Sequence, residues 1–351
     1  METSIGARIK SARQLAGISL RALADRLNGE VSHTAINKFE TGTLMPDGQT
    51  LLALAKALNV QTDYFLRQQT IQITDIAFRK RSRLSVKQSN SIKASVIETL
   101  ERYLELEFLL NLNIGFVNPI LAIKIETAAD VEIAAKKLLD QWDLGSNAIP
   151  NVIELLESKG VKVIELHTDS KFDGLSGWAN GHVPVIVLNK SFSNERKRFT
   201  ALHELGHLLL NFQASLEHAV IEKHCHRFAG AFLIPTTTLK KELGVTRSAV
   251  SLNELVAIKE SYGISIQAIM ARARDLNIIS NDYYVRFRMW INAEPTRKME
   301  IGYGAYLGDE RSSRFSQLIY RATAEEIITM SKAASLSNMR LAEFRDEYSA
   351  I

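Results

Sequence analysis

Apolar residues recur at helical spacing along most of this chain, broken in the middle by one short continuous apolar run. From the N-terminus, GARIKSARQLAGISLRALADRLN predicts two short helices, the second capped by Ser19. VSHTAINKFETG, Val31 to Gly42, predicts a third, capped by Ser32 and stopped by Gly42. TLLALAKALNVQTDYFL adds an amphipathic helix with Leu51, Leu54, Leu58 and Val60 on its apolar side. Four or five such helices in about 66 residues can bury one small core. Ser91 to Leu110 forms a longer amphipathic helix, with Ile92, Val96, Leu100, Tyr103 and Leu104 opposite acids. It is expected to pack on the domain that follows or to pair with its copy in a dimer. NPILAIKIETAADVEIAAKKLLDQWDL reads as that domain's first helix, running to Trp142. VPVIVLN, Val183 to Asn189, is the apolar run of a buried strand, with the basic segment NERKR and a helix from near Phe199 after it. IEKHCHRFAGAFLIP, Ile221 to Pro235, is a further helix ended by its proline. After Ser280 the pattern loosens: RFRMWI and MEIGYGAYL suggest short strands, and two helices end near Tyr348. The fold class predicted is mainly α with a small β-sheet, an all-α N-terminal domain preceding an α+β domain. The expected boundaries are 1–68, a linker and helix over 69–117, a second domain over 118–292, and a C-terminal region over 293–351 to which no chemistry is assigned.

Composition changes this picture little. With 351 residues, 46% of them hydrophobic, the chain can support two or three cores. A net charge of +4 gives no basic field over the whole protein. Its distribution is more informative, because Arg67, Arg79, Lys80, Arg81, Arg83, Lys87 and Lys93 face only Asp75 between residues 67 and 93. Such a basic stretch would add phosphate contacts if a neighbouring domain bound nucleic acid. The single cysteine, Cys225, excludes an intramolecular disulfide and suits a reducing cytoplasm. No apolar run reaches the roughly 18 residues that span a bilayer, and METSIGARIK lacks the apolar core of a secretory signal. A cytoplasmic protein without a membrane partner is expected.

The chemistry concentrates in HELGH, His203 to His207. Two imidazoles four apart on a helix share one face and can reach one metal ion, while Glu204 between them is placed to deprotonate a metal-activated water. Gly206 inside this helix costs about 1 kcal/mol relative to Ala and points to close packing of another backbone. A hydrolytic zinc site takes three protein ligands and leaves a position open. The third is sought in the next helix, where Glu222, Cys225 and His226 lie at i, i+3 and i+4. Glu222 is the first choice, His226 the second and Cys225 the third. Cys225 otherwise reads as a small buried thiol and His224 as a partly exposed imidazole.

Several further motifs stand in order around that site: IPNVIELLESKGVKV, FDGLSGW, VPVIVLN, RKRFTALHELGHLLL, EKHCHRFAGAFLIP and LVAIKESYGISIQAIMARARDLNII. Together they resemble the ImmA/IrrE metallopeptidase family of bacterial and phage regulators, from about Ile149 to Ser280. The resemblance implies a zincin-like site with Zn2+ on His203, His207 and Glu222 and Glu204 as general base. Many relatives carry a second acid and Ala-Asn after the ligand Glu, where this chain has His224, Cys225 and His226. Residues 5 to 66 resemble the Cro/repressor (XRE-type) helix-turn-helix family, most tellingly in VSHTAINKFETG and TLLALAKALNV. That likeness implies double-stranded DNA as partner, bound by a homodimer on an operator that includes the chain's own promoter. The recognition helix would offer Ser32, His33, Thr34, Asn37 and Lys38 to phosphates and base edges.

The two halves suggest a transcriptional regulator with a zinc endopeptidase that cleaves a repressor, a toxin or itself, in stress, phage or toxin–antitoxin settings. A repressor or antitoxin with a non-catalytic zincin-like sensor domain is the alternative. A third reading is a peptidase whose N-terminal module binds a protein.

Overall fold

The computed structural model describes residues 5–67, 71, 73–74, 85–112 and 115–348. Arg79, Lys80, Arg81 and Arg83 of the basic linker lie outside them. The chain divides into two compact units. One holds Met1–Asn113, Ala179–Gly181 and Phe315–Ile351; the other holds Ile114–Trp178 and His182–Arg314.

In the first unit, α1 (Ile5–Leu15), α2 (Leu20–Arg26), α3 (His33–Glu40) and α4 (Gly48–Leu58) are followed by a 3-10 turn, Thr62–Leu66. Ser19, Ser32 and Asp47 cap α2, α3 and α4 through their side-chain oxygens, each satisfying a backbone N–H that a helix start leaves open. Ile9, Leu23, Leu27, Ile36, Phe39, Leu54, Leu58 and Phe65 form the core. Only glycine fits at position 6, since a Cβ there would stand 2.1 Å from the Phe39 carbonyl oxygen. Close approach of α1 to α3 is locked by Arg13, which donates to both carboxylate oxygens of Glu40 at 2.6 and 2.8 Å.

The long helix α5 (Val86–Leu109) departs from expectation. It packs inside the first unit. Buried Arg8 of α1 donates to both carboxylate oxygens of Glu101 at 2.8 and 3.2 Å and to the Arg67 carbonyl at 2.8 Å. Farther along, Tyr103, Leu106 and Leu110 share a core with Leu318, Ile319, Ala333, Leu336 and Phe344. These belong to three C-terminal helices, Arg314–Ala324, Met330–Leu336 and Leu341–Glu347, where the apolar pattern suggested two. Ile92, Val96, Leu100 and Tyr103 of the expected stripe are buried, with Leu106 in place of the half-buried Leu104, but periodicity says nothing of which partner covers them.

The second unit contains α6 (Ala128–Gln141), α7 (Val152–Ser158), β1 (Lys162–Leu166), β2 (Gly174–Ala179), β3 (Val183–Asn189), α8 (Asn194–Leu209), α9 (His218–Leu233), α10 (Thr236–Leu243), α11 (Leu252–Tyr262), α12 (Ile266–Asp275) and α13 (Asn281–Asn292). The strands lie in the order β2-β3-β1, with β1 and β3 parallel and Ile164 opposite Val187. β3 is buried on both faces, which is why its sequence is a continuous apolar run. Three expectations need correction. The first helix begins only at Ala128, where Thr127 and Asp130 make a capping box; Asn118 to Glu126 precede it. RFRMWI lies within helix α13 and buries only Phe287 and Ile291. MEIGYGAYL is turn and coil, with Gly302 and Gly304 at positive φ. A period-2 reading of so short a run competes poorly with a helix that buries one stripe.

The basic segment NERKR is partly internal. Lys197 and Arg198 are buried, and Lys197 pairs with Glu165 at 2.8 Å. Arg198, fully buried, donates to Glu310, to the Ile149 carbonyl at 2.7 Å and to the Tyr262 carbonyl at 3.2 Å. Glu310 in turn accepts from the Val152 and Ile153 amides at the start of α7. Gly263 (φ 61°) lies against this guanidinium: a Cβ there would approach Arg198 Nε to 2.4 Å. The base of α8 is thus fixed to α7, to the end of α11 and to the segment around Glu310.

Candidate metal centre and recognition helix

α8 and α9 bring the candidate ligands together. Gly206 lets the helices approach, since a Cβ there would already touch Phe228 at 3.3 Å and the Cys225 backbone at 3.4 Å. His203 Nε2 and His207 Nε2 stand 3.2 Å apart. Glu222 Oε2 lies 3.2 Å from His203 Nε2, and its Oε1 lies 3.4 Å from His207 Nε2. Donors bound to a tetrahedral Zn2+ at about 2.0–2.1 Å lie about 3.3 Å from one another, so this triangle matches the face of such a tetrahedron. Three lone-pair donors converging so closely repel one another unless a cation is shared between them. Burial holds the His203 pKa below the ordinary histidine value, keeping the imidazole in its neutral, ligating form; the Glu222 carboxylate opposes this only in part. Among the described residues, His203, His207 and Glu222 are the one group with this convergence. His218 Nε2 approaches Glu222 Oε1 at 3.5 Å from the exposed side, a neighbour that no spacing in the sequence singles out.

The other candidates point elsewhere. Cys225 Sγ lies 3.3 Å from His207 Nδ1, on the far side of the ring from Nε2, and can set its tautomer and orientation. His226 turns Nδ1 to its own helix, 2.8 Å from the Glu222 carbonyl, and packs edge-on against His203. His224 is buried rather than partly exposed and stacks on Phe212. Glu204 is buried and accepts a 2.6 Å hydrogen bond from the Ser176 hydroxyl on β2. Ser176 belongs to FDGLSGW, a motif that residue chemistry alone did not connect with the site. Gly174 in the same motif leaves space for the α8 side chains, since a Cβ there would meet Thr200 Cγ2 at 2.7 Å.

In the first unit, Ser32, His33, Thr34, Asn37 and Lys38 are all exposed. Ile36, Phe39 and Glu40 face inward from the same helix, so α3 presents one polar stripe to solvent and buries the other. The turn before α3 uses Asn28 and Gly29, both at positive φ.

A helix pair offering two imidazoles and a carboxylate, together with a separate four-helix head, defines the class: a metallopeptidase-type domain joined to a helix-turn-helix module. Comparison with known proteins agrees in both parts. Residues 156–274 match the IrrE N-terminal-like domain of the M78 peptidase family, and residues 9–65 match the helix-turn-helix family. The HTH-type transcriptional regulator ImmR of Bacillus subtilis (strain 168) is 40% identical over 63 residues, covering 18% of this chain and 48% of that protein. The chain spans about half the length of this curated relative. No helix among the described residues is long and apolar enough to cross a membrane.

Proposed function

We propose that this chain is a DNA-binding transcriptional regulator whose second domain is a zinc endopeptidase acting on a repressor, a toxin or the chain itself. The observation that carries the catalytic half is the convergence of His203, His207 and Glu222 beside a buried, hydrogen-bonded Glu204. When bound, Zn2+ supplies Lewis-acid polarisation of water and of the peptide carbonyl. Glu204 accepts the proton of the attacking water and returns it to the leaving amine. Ser176 orients the carboxylate by donating its hydroxyl to Glu204 Oε2. Burial favours the neutral form of His203, and His207 is oriented through the contact of its Nδ1 with Cys225.

Purified protein is expected to carry about one equivalent of zinc, as a three-ligand site requires. His203→Ala should lose it, by elemental analysis. Full retention in a variant lacking both histidines would remove the site from consideration.

The DNA-binding half rests on the helix-turn-helix match and on the polar face of α3. We infer that a homodimer binds inverted repeats upstream of its own gene, with Ser32 to Lys38 entering successive major grooves. Asn37→Ala should weaken specific binding by about 1–3 kcal/mol and non-specific binding much less. Lys38→Ala should weaken both and flatten the salt dependence. Footprinting with the full chain at stated salt is the measurement. Absence of any protected sequence would favour a protein partner for the N-terminal module.

A further inference from the structure

Beyond Glu222 the second unit opens into a cleft of about 1230 Å³. One side of it is a stripe of α9, where Lys223, His226, Arg227 and Gly230 follow Glu222 at helical spacing. From Glu222 to Gly230 the helix rises about 12 Å, the reach of about four extended residues. The remaining walls bring in Arg196, Arg274, Arg288 and Lys298.

The charge balance of this cleft is one-sided. Of its acids, Glu195 and Glu300 are buried and face Lys259, at 3.9 and 3.0 Å. Asp275 is shared between Arg227 at 3.4 Å and Arg274 at 2.5 Å, and Arg196 pairs with Asp173. Lys223, Arg288 and Lys298 are exposed and have no acidic partner among the described residues. Two of the arginines are also held in place by aromatic rings of the same walls. Arg196 lies 3.7 Å above the Phe192 ring and Arg274 lies 4.4 Å above that of Tyr284. Both keep a fixed orientation through this stacking although each is already paired with an acid, so the unpaired charge of the cleft rests on Lys223, Arg288 and Lys298.

We propose that this cleft receives an acidic, extended peptide segment, so that carboxylates beside the scissile bond select the substrate of the neighbouring His203–His207–Glu222 centre. The proposal rests on the peptidase reading for its biological sense. Its test does not require turnover.

Full-length, zinc-loaded Glu204→Gln protein is titrated into two short labelled peptides of equal length, one of Glu, Ala and Ser and one with Lys in place of Glu. Fluorescence anisotropy should show the acidic peptide bound at least about tenfold more tightly, with the advantage shrinking as salt rises. The double variant Arg288→Glu/Lys298→Glu should lose that preference while keeping its circular dichroism and zinc content. Arg288→Lys, which keeps the charge, should retain it. Equal binding of the two peptides, or an unchanged preference in the double charge reversal, would overturn the proposal. Displacement of the acidic peptide by an oligothymidylate at lower concentration than by unlabelled peptide would also overturn it, in favour of a nucleic-acid site. Cleavage is read separately in the wild type. A chain that binds the acidic peptide and cuts nothing refutes the peptidase and leaves the cleft assignment standing.

Discussion

Glu204→Gln should leave zinc content and fold intact and lower peptide cleavage by about 10²–10⁴-fold, the range for loss of a general base. The substitution is well suited to separate chemistry from structure. The Gln amide oxygen can still accept the Ser176 hydroxyl bond, so the buried polar contact survives. What disappears is the ability to take a proton from water. Ser176→Ala should act through Glu204 rather than on substrate, costing less in rate than Glu204→Gln, because the carboxylate loses the hydrogen bond that orients it. Metal analysis and a cleavage assay on the proposed repressor substrate, run side by side, decide the matter. Undiminished cleavage by Glu204→Gln would refute the mechanism, and a wild type that cleaves nothing would support the sensor reading.

Glu310→Ala should destabilise the second unit by about 3–5 kcal/mol, measured by denaturant unfolding. Its removal strands a fully buried Arg198 and takes an acceptor from the Val152 and Ile153 amides. Burial raises the Glu310 pKa despite the adjacent guanidinium, which means that the pair offsets its desolvation cost only in part. Replacing both partners, as Arg198→Met with Glu310→Leu, should therefore recover much of the lost stability. A cost below about 1 kcal/mol for Glu310→Ala would show that the pair is dispensable.

The parts of this molecule that were legible in the sequence are those fixed by local rules. Ser19 and Ser32 announce helix starts, VPVIVLN announces a buried strand, and HELGH carries its own geometry because two residues four apart on a helix must share a face. Glu222 was reachable by the same reasoning, since it too lies on a helix with few alternatives. Ser176 was not, because its role depends on β2 lying beside α8, which no spacing within either segment encodes. The burial of Lys197 and Arg198 was hidden for a related cause. Charged residues read as surface unless a partner is known, and Glu165 and Glu310 stand on distant stretches of chain. The covering of α5 by helices more than 200 residues later was invisible for the same reason.

That last feature has a bearing on how the protein is made. Arg8 meets its carboxylate on α5, and α5 is roofed by Leu318, Ile319 and Phe344 near the other end of the chain. During synthesis the head therefore emerges first and waits, with one flank of its supporting helix bare, until the final helices leave the ribosome. The intervening domain, residues 114 to 314 save three, can fold in that interval as a guest within a host still open. A transcript broken late, or a proteolytic cut near residue 314, would release a head without its brace. Supply of braced heads would then be tied to synthesis of the helices between Arg314 and Glu347, a check on quality that requires no second protein.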